Sequence, residues 1–123
     1  MSGTSRAART ERGSVTAEAA VVLPVLLVVL AAAVGVIVCV SAQLACVDAA
    51  RAAARAAARG EDAAVVQQVG VRLAPPGARV VVTSDAETVQ VRIDTSVRPF
   101  GRALRLPAVD VSGRAVAAVE GQP

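Results

Sequence analysis

Residues 13–30, GSVTAEAAVVLPVLLVVL, set a glycine, four small or polar residues and a glutamate directly against the longest apolar run of the chain. Ala19 to Val40 carries no charge over 22 residues, and the uncharged stretch goes on to Val47. Wound as an α-helix at about 1.5 Å per residue, Ala19–Val40 reaches about 30 Å, the thickness of a bilayer's hydrocarbon core. A transmembrane span is predicted. Pro24 and Gly35 fit it, because neighbouring groups in a membrane satisfy the backbone that such residues free. The apolar core of a secretory signal runs about 7 to 15 residues, so this run is too long to be one.

Upstream, MSGTSRAARTER over residues 1–12 is polar, Arg-bearing and without periodicity, and reads as a disordered leader. Downstream the helical signals continue through SAQLACVDAARAAARAAARG. Alanine is the best helix former, and Asp48, Arg51, Arg55 and Arg59 recur at spacings that place them on one face. Gly60 supplies a C-terminal stop, with arginines in the last turns where the helix dipole favours cations. One helix over residues 14–59 follows, with its span at 19–40. The arginines on either side, Arg6, Arg9 and Arg12 before the span and Arg51, Arg55 and Arg59 after it, leave the charge rule for orientation tied.

Residues 60–123 read as a small α+β domain. EDAAVVQQVGVRLAPPG predicts a short helix with Val65, Val66 and Val69 on one side, ended by Gly70 or by Pro75-Pro76. The period then changes to two. ARVVVT and TVQVRIDTSV predict strands, the second with Val89, Val91, Ile93, Thr95 and Val97 on one face, and SDAE between them fits a hairpin turn. RPFGRALRLP is a loop, and AVDVSGRAVAAVE a third strand with Val109, Val111, Ala115, Ala117 and Val119 facing one way. Such a domain is too small to bury much surface alone. The Ala-rich face of the long helix is the natural cover for a three-stranded antiparallel sheet.

The composition argues against an enzyme. There is no His, Lys, Trp or Tyr and a single Phe, and the ten acids are scattered without pairing. No metal-ligand cluster, phosphate-binding loop or cofactor motif is visible. Thirteen arginines give a net charge of +3, but an Arg-only, Ala- and Val-rich composition is what a GC-rich genome imposes. A basic surface without aromatics lacks the stacking platforms of single-strand binders, which argues against a nucleic-acid partner. Cys39 and Cys46 lie two helical turns apart, about 10.5 Å of rise, too far to bridge within one chain. They are apolar fillers or half of an intermolecular disulfide.

A carboxylate near a helix start is favoured by about 0.3–1 kcal/mol, which alone would explain Glu18. A capping box would also do so, but it needs a spacing of three, and Ser14 to Glu18 is four. Gly13 followed by Glu18, with an Arg-bearing leader before and an apolar helix after, resembles the processing site of type IV pilins, in which a membrane peptidase cuts after the glycine. Counting Ser14 as the first mature residue, Glu18 is the fifth, the position that carries the glutamate in that family. TAEAAVVLPVLLVVL followed by DAARAAARAAARG is similar to the TadE-like minor pilins of the tight-adherence (Tad, or Flp) system. Ala19 stands where these relatives often have an aromatic residue, and Ser14 where many pilins have Phe.

The resemblance implies a minor pilin or pseudopilin in a bacterial cell membrane, cleaved at Gly13–Ser14 by a prepilin peptidase. The leader would be cytoplasmic and the C-terminal domain extracytoplasmic. It implies other pilin subunits and the Tad assembly machinery as partners, beside membrane lipid, and a use in pilus assembly and adhesion. It also implies that Glu18 pairs with the freed amine of a neighbouring subunit. Arg51, Arg55 and Arg59 are read as a solvated face, or as contacts to anionic headgroups or a partner subunit. Phe100, with Arg98, Arg102 and Arg105 around it, is either core-edge packing or a docking knob. A different class of function is a single-pass anchor whose basic sheet holds DNA or an acidic envelope polymer.

Overall fold

The computed structural model describes residues 2–119, with side chains from residue 10 onward. The element order is α1 (Ser2–Ala58), α2 (Ala63–Leu73), β1 (Arg79–Ser84), β2 (Thr88–Val97) and β3 (Val109–Ala118). This is an α+β arrangement in which a long N-terminal apolar helix packs on a three-stranded antiparallel sheet of order β1-β2-β3. The last residue of the third expected strand, Glu120, lies outside the described residues.

Helix α1 begins at Ser2, so residues 2–12 are helical where the sequence reading has a disordered leader. The reason is local: Ala, Arg and Glu are strong helix formers, and a helix already nucleated by the span extends into them at little cost. The far end is closed by a Schellman motif. Gly60 is left-handed, with φ 82°; its N–H donates to the Ala57 carbonyl at 3.0 Å, and that of Glu61 to Ala56 at 3.2 Å.

The chain divides into two compact units, one ending at Val34 and the other beginning at Gly35. In the first unit the apolar side chains from Val15 to Leu30 are exposed, with Val21 at 67% and Val28 at 69%. The second unit owns the core. Cys46, Ala49, Ala50, Ala53 and Ala56 of α1 pack with Val66 of α2, Val80 of β1, Val89, Val91 and Ile93 of β2 and Val111 of β3. The alternation expected along β2 is present, with Val89, Val91 and Ile93 buried and Arg92 exposed. The unit that contains the sheet therefore starts well before residue 60.

Helix α2 runs through Gly70 and stops at Leu73, ahead of the two prolines. A turn follows in which Gly77 takes φ 79° and the Ala78 N–H donates to the Pro75 carbonyl at 3.2 Å. The packed side of α2 is Val66, Val69 and Gly70, whereas Val65 is 40% exposed. The expected grouping of Val65 with Val66 and Val69 is thus corrected. Gly70 sits on Val80, where an added Cβ would lie 3.0 Å from a Val80 methyl, and that approach rotates Val65 off the contact.

Candidate functional site

Gly13, Ser14 and Glu18 all lie within α1 and are exposed. Glycine inside a helix costs about 1 kcal/mol relative to alanine, so Gly13 lowers the local helix stability at the Gly13–Ser14 bond. Among the described residues nothing beyond the adjoining helix backbone stands within 4 Å of where a Gly13 Cβ would be, so that side of the helix is uncovered. The Thr16 hydroxyl donates to the Arg12 carbonyl at 2.9 Å, bridging the bond from one side to the other. Ser14 and Glu18, four apart, share a helix face one turn from each other. Glu18 is the only charged residue between Gly13 and Val47, and no described residue forms an ion pair with it.

Arg51, Arg55 and Arg59 are exposed on the side of α1 turned away from the buried alanines. Arg59 reaches Glu61 at 3.3 Å, with both side chains well exposed; such surface pairs contribute little. Phe100 is half-buried and turned inward. An added Cβ on Gly35 would lie 3.4 Å from its ring and 3.5 Å from Pro99, so the ring rests on the bare backbone of α1 at Gly35. This contact places one side of the ring against α1. Arg51 lies sixteen residues beyond Gly35, about 24 Å along the helix, so Phe100 and the arginine stripe do not form one surface.

Cys46 is fully buried in the core and Cys39 is half-buried. Burial pushes the Cys46 thiol pKa up, and the nearby Asp94 carboxylate adds to the shift. An intermolecular disulfide through Cys46 is ruled out by the sheet that covers it. No cluster of His, Cys, Asp or Glu with metal-ligand geometry occurs among the described residues.

Two positioning residues escape a reading of the sequence by period. Gly113, in the middle of β3, faces α1 so closely that a Cβ there would overlap the Cys46 carbonyl and the Val47 amide nitrogen. An isolated glycine inside a strand pattern is the signal for such an approach. Gln43 of α1 accepts the Ser112 N–H at 3.1 Å through its side-chain oxygen, occupying a donor of the edge strand β3; one exposed glutamine in a long helix gives no such signal.

No curated protein and no solved structure gives a match to the chain. The family model described as TadE-like protein matches residues 13–55, from the glycine of the Gly13–Ser14 bond, through the apolar run, to the second arginine of the stripe. Over that helix the chain is similar to TadE-like proteins.

Proposed function

We propose that this chain is a minor pilin or pseudopilin of a tight-adherence pilus, cut after Gly13 by a prepilin peptidase and carried into assembly by its exposed apolar helix. The TadE-like match supports association with Tad pilus components. The observation that carries the finer reading is the pairing of an uncovered apolar helix with one carboxylate at its lip, five residues after an accessible glycine.

Cleavage at Gly13 would free the Ser14 amine, whose ordinary pKa of about 7.7–8.0 leaves it largely cationic at neutral pH. Glu18 of one subunit then meets the amine of the next where water is scarce and opposite charges attract most strongly. The exposed apolar surface of α1 continues beyond Gly35 through Val36, Ile37, Val40 and Leu44. These four recur at helical spacing on one side, the pattern of a helix that packs on another helix. The role is structural, with no catalytic group required. The single span would place the leader in the cytoplasm and the sheet outside.

The test is the N-terminus of membrane-extracted protein, by intact mass and N-terminal sequencing, with and without a Gly13 substitution. A chain that starts at Ser14 and is lost in the Gly13 variant is the expected result; a chain that keeps its leader refutes processing. With processing established, Glu18→Ala should insert in the membrane and be cleaved but give few pili, and an unchanged pilus yield would refute the assembly role.

A further inference from the structure

The apolar run of the sequence is longer than the stretch of helix left free of the chain's own cover. That cover begins at Gly35, where Pro99 and Phe100 lie against the helix backbone. The span expected at 19–40 runs five residues past Gly35, and Val36, Ile37 and Val40 stay exposed on the uncovered side of the helix. Gly35 thus lies about 8 Å along the helix from the end of that span at Val40, and the loop seated on it stands beside that end, close to the headgroups.

That loop has the chemistry of the level at which it sits. Between Asp94 and Asp110 there is no acid, while Arg98, Arg102 and Arg105 are all present and exposed. None of the three forms an ion pair among the described residues. Leu104 and Leu106, 49% and 48% exposed, stand between and beside the arginines and line one open cleft with them. Two successive turns hold the shape: the Gly101 N–H donates to the Arg98 carbonyl at 3.0 Å, and the Ala103 N–H to Phe100 at 3.2 Å. Gly101, at φ 58°, supplies the left-handed residue between them.

We propose that residues 98–107 form a membrane-surface clamp, in which Arg98, Arg102 and Arg105 bind the phosphates of anionic phospholipids while Leu104 and Leu106 enter the upper acyl region. Arginine suits this task because its planar fork meets phosphate oxygens through paired hydrogen bonds. Its aliphatic stem tolerates an apolar neighbour while the charge stays at the headgroup. Each basic residue near an anionic surface favours contact about five-fold. Phe100 fixes the clamp to the helix and does not itself meet lipid. Arg51, Arg55 and Arg59 begin about 24 Å farther along α1, beyond the headgroups, so the lipid contact belongs to the loop and not to the stripe.

The inference rests on the membrane span and is independent of pilus assembly. Because the chain has no Trp and no Tyr, Leu104→Trp introduces a single fluorescent reporter, with Leu106→Trp as a second if the first fails to fold. The full-length variant is placed in lipid nanodiscs of phosphatidylcholine alone or mixed with phosphatidylglycerol, and its emission is read with and without lipids brominated high on the acyl chain. The expected result in the anionic discs is a blue-shifted emission quenched by the brominated lipid. Combining Arg98→Gln, Arg102→Gln and Arg105→Gln should abolish both effects, and Arg51→Gln with Arg55→Gln should change neither. Water-like emission in the anionic discs overturns the proposal. So does a blue shift without lipid quenching, which would put the indole against protein, or a quenched signal that is indifferent to both phosphatidylglycerol and the triple substitution. A chain that does not co-elute with the discs at all would overturn the span itself, a failure separate from that of the clamp.

Discussion

Gly113 shows how one missing side chain sets the distance between a helix and a sheet. Opposite it on β2, Ile93 is buried and fills the volume beside the helix, while Gly113 lets the backbone of Cys46 and Val47 come down onto the strand. Overpacking costs typically about 1–3 kcal/mol, and here the obstacle is helix backbone, which cannot rotate aside as a side chain does. Gly113→Ala should therefore lower the stability of the sheet unit by about 1–3 kcal/mol, read as a lower urea midpoint by circular dichroism of the detergent-solubilised chain. Alanine is otherwise the better strand residue of the two by about 0.5–1 kcal/mol, so an unchanged or higher midpoint would mean that the helix does not press on the strand there. The Gln43 bond to Ser112 acts at the same seam by occupying a donor on an edge strand, where an open row of donors invites pairing with other chains.

At the scale of elements, α1 is one helix with changing surfaces. It runs as a single helical element through Pro24, but its side chains answer to different surroundings: bare Val and Leu before Gly35, alanines against the sheet from Ala49, arginines on the outside. The alanine stripe lets a helix lie close to a sheet because it presents little more than backbone, which is also why Gly113 can approach. Arg51 and Arg55 contribute to none of this packing. Arg51→Gln with Arg55→Gln should leave the unfolding midpoint unchanged within about 0.5 kcal/mol, as surface substitutions generally do. A larger drop would show that the stripe is part of the fold and not a free face. The elements were legible because their periods are clean: 3.6 through the alanines and arginines, two along Val89–Val97, and a glycine or proline after α1, α2 and β2. What was not legible depends on approach between elements distant in sequence. Val65 is turned out by the contact of Gly70 with Val80, and Phe100 is turned in by the bare backbone at Gly35; no local pattern encodes either. Of the candidate site, Gly13, Ser14 and Glu18 could be singled out because the resemblance that marks them is one of spacing along one segment. Gln43 was not, since its partner stands 69 residues away.

At the scale of the molecule, the sheet carries its own cover on the same chain. The strands and α2 bury only a handful of large side chains, chiefly Ile93, Val66 and Val91, and the remainder of the core is the alanine and cysteine face of α1. A domain of about 60 residues is marginal even with a complete core, and residues 61–123 would lose Cys46, Ala49, Ala50, Ala53 and Ala56 together. They would also expose the backbone groove that Gly113 opens. Residues 35–123, by contrast, keep every residue of the core and the Gly35 seat of Phe100. In matched mild detergent, which masks Val36, Ile37, Val40 and Leu44, the 35–123 fragment should unfold in one cooperative urea transition, whereas the 61–123 fragment should show none. Cooperative folding of the shorter fragment would mean that the sheet is self-sufficient and α1 only tethers it. If instead both fragments lack a transition, the segment before Gly35 must supply part of the stability of the sheet, and the division of the chain at Val34 would not be one of folding.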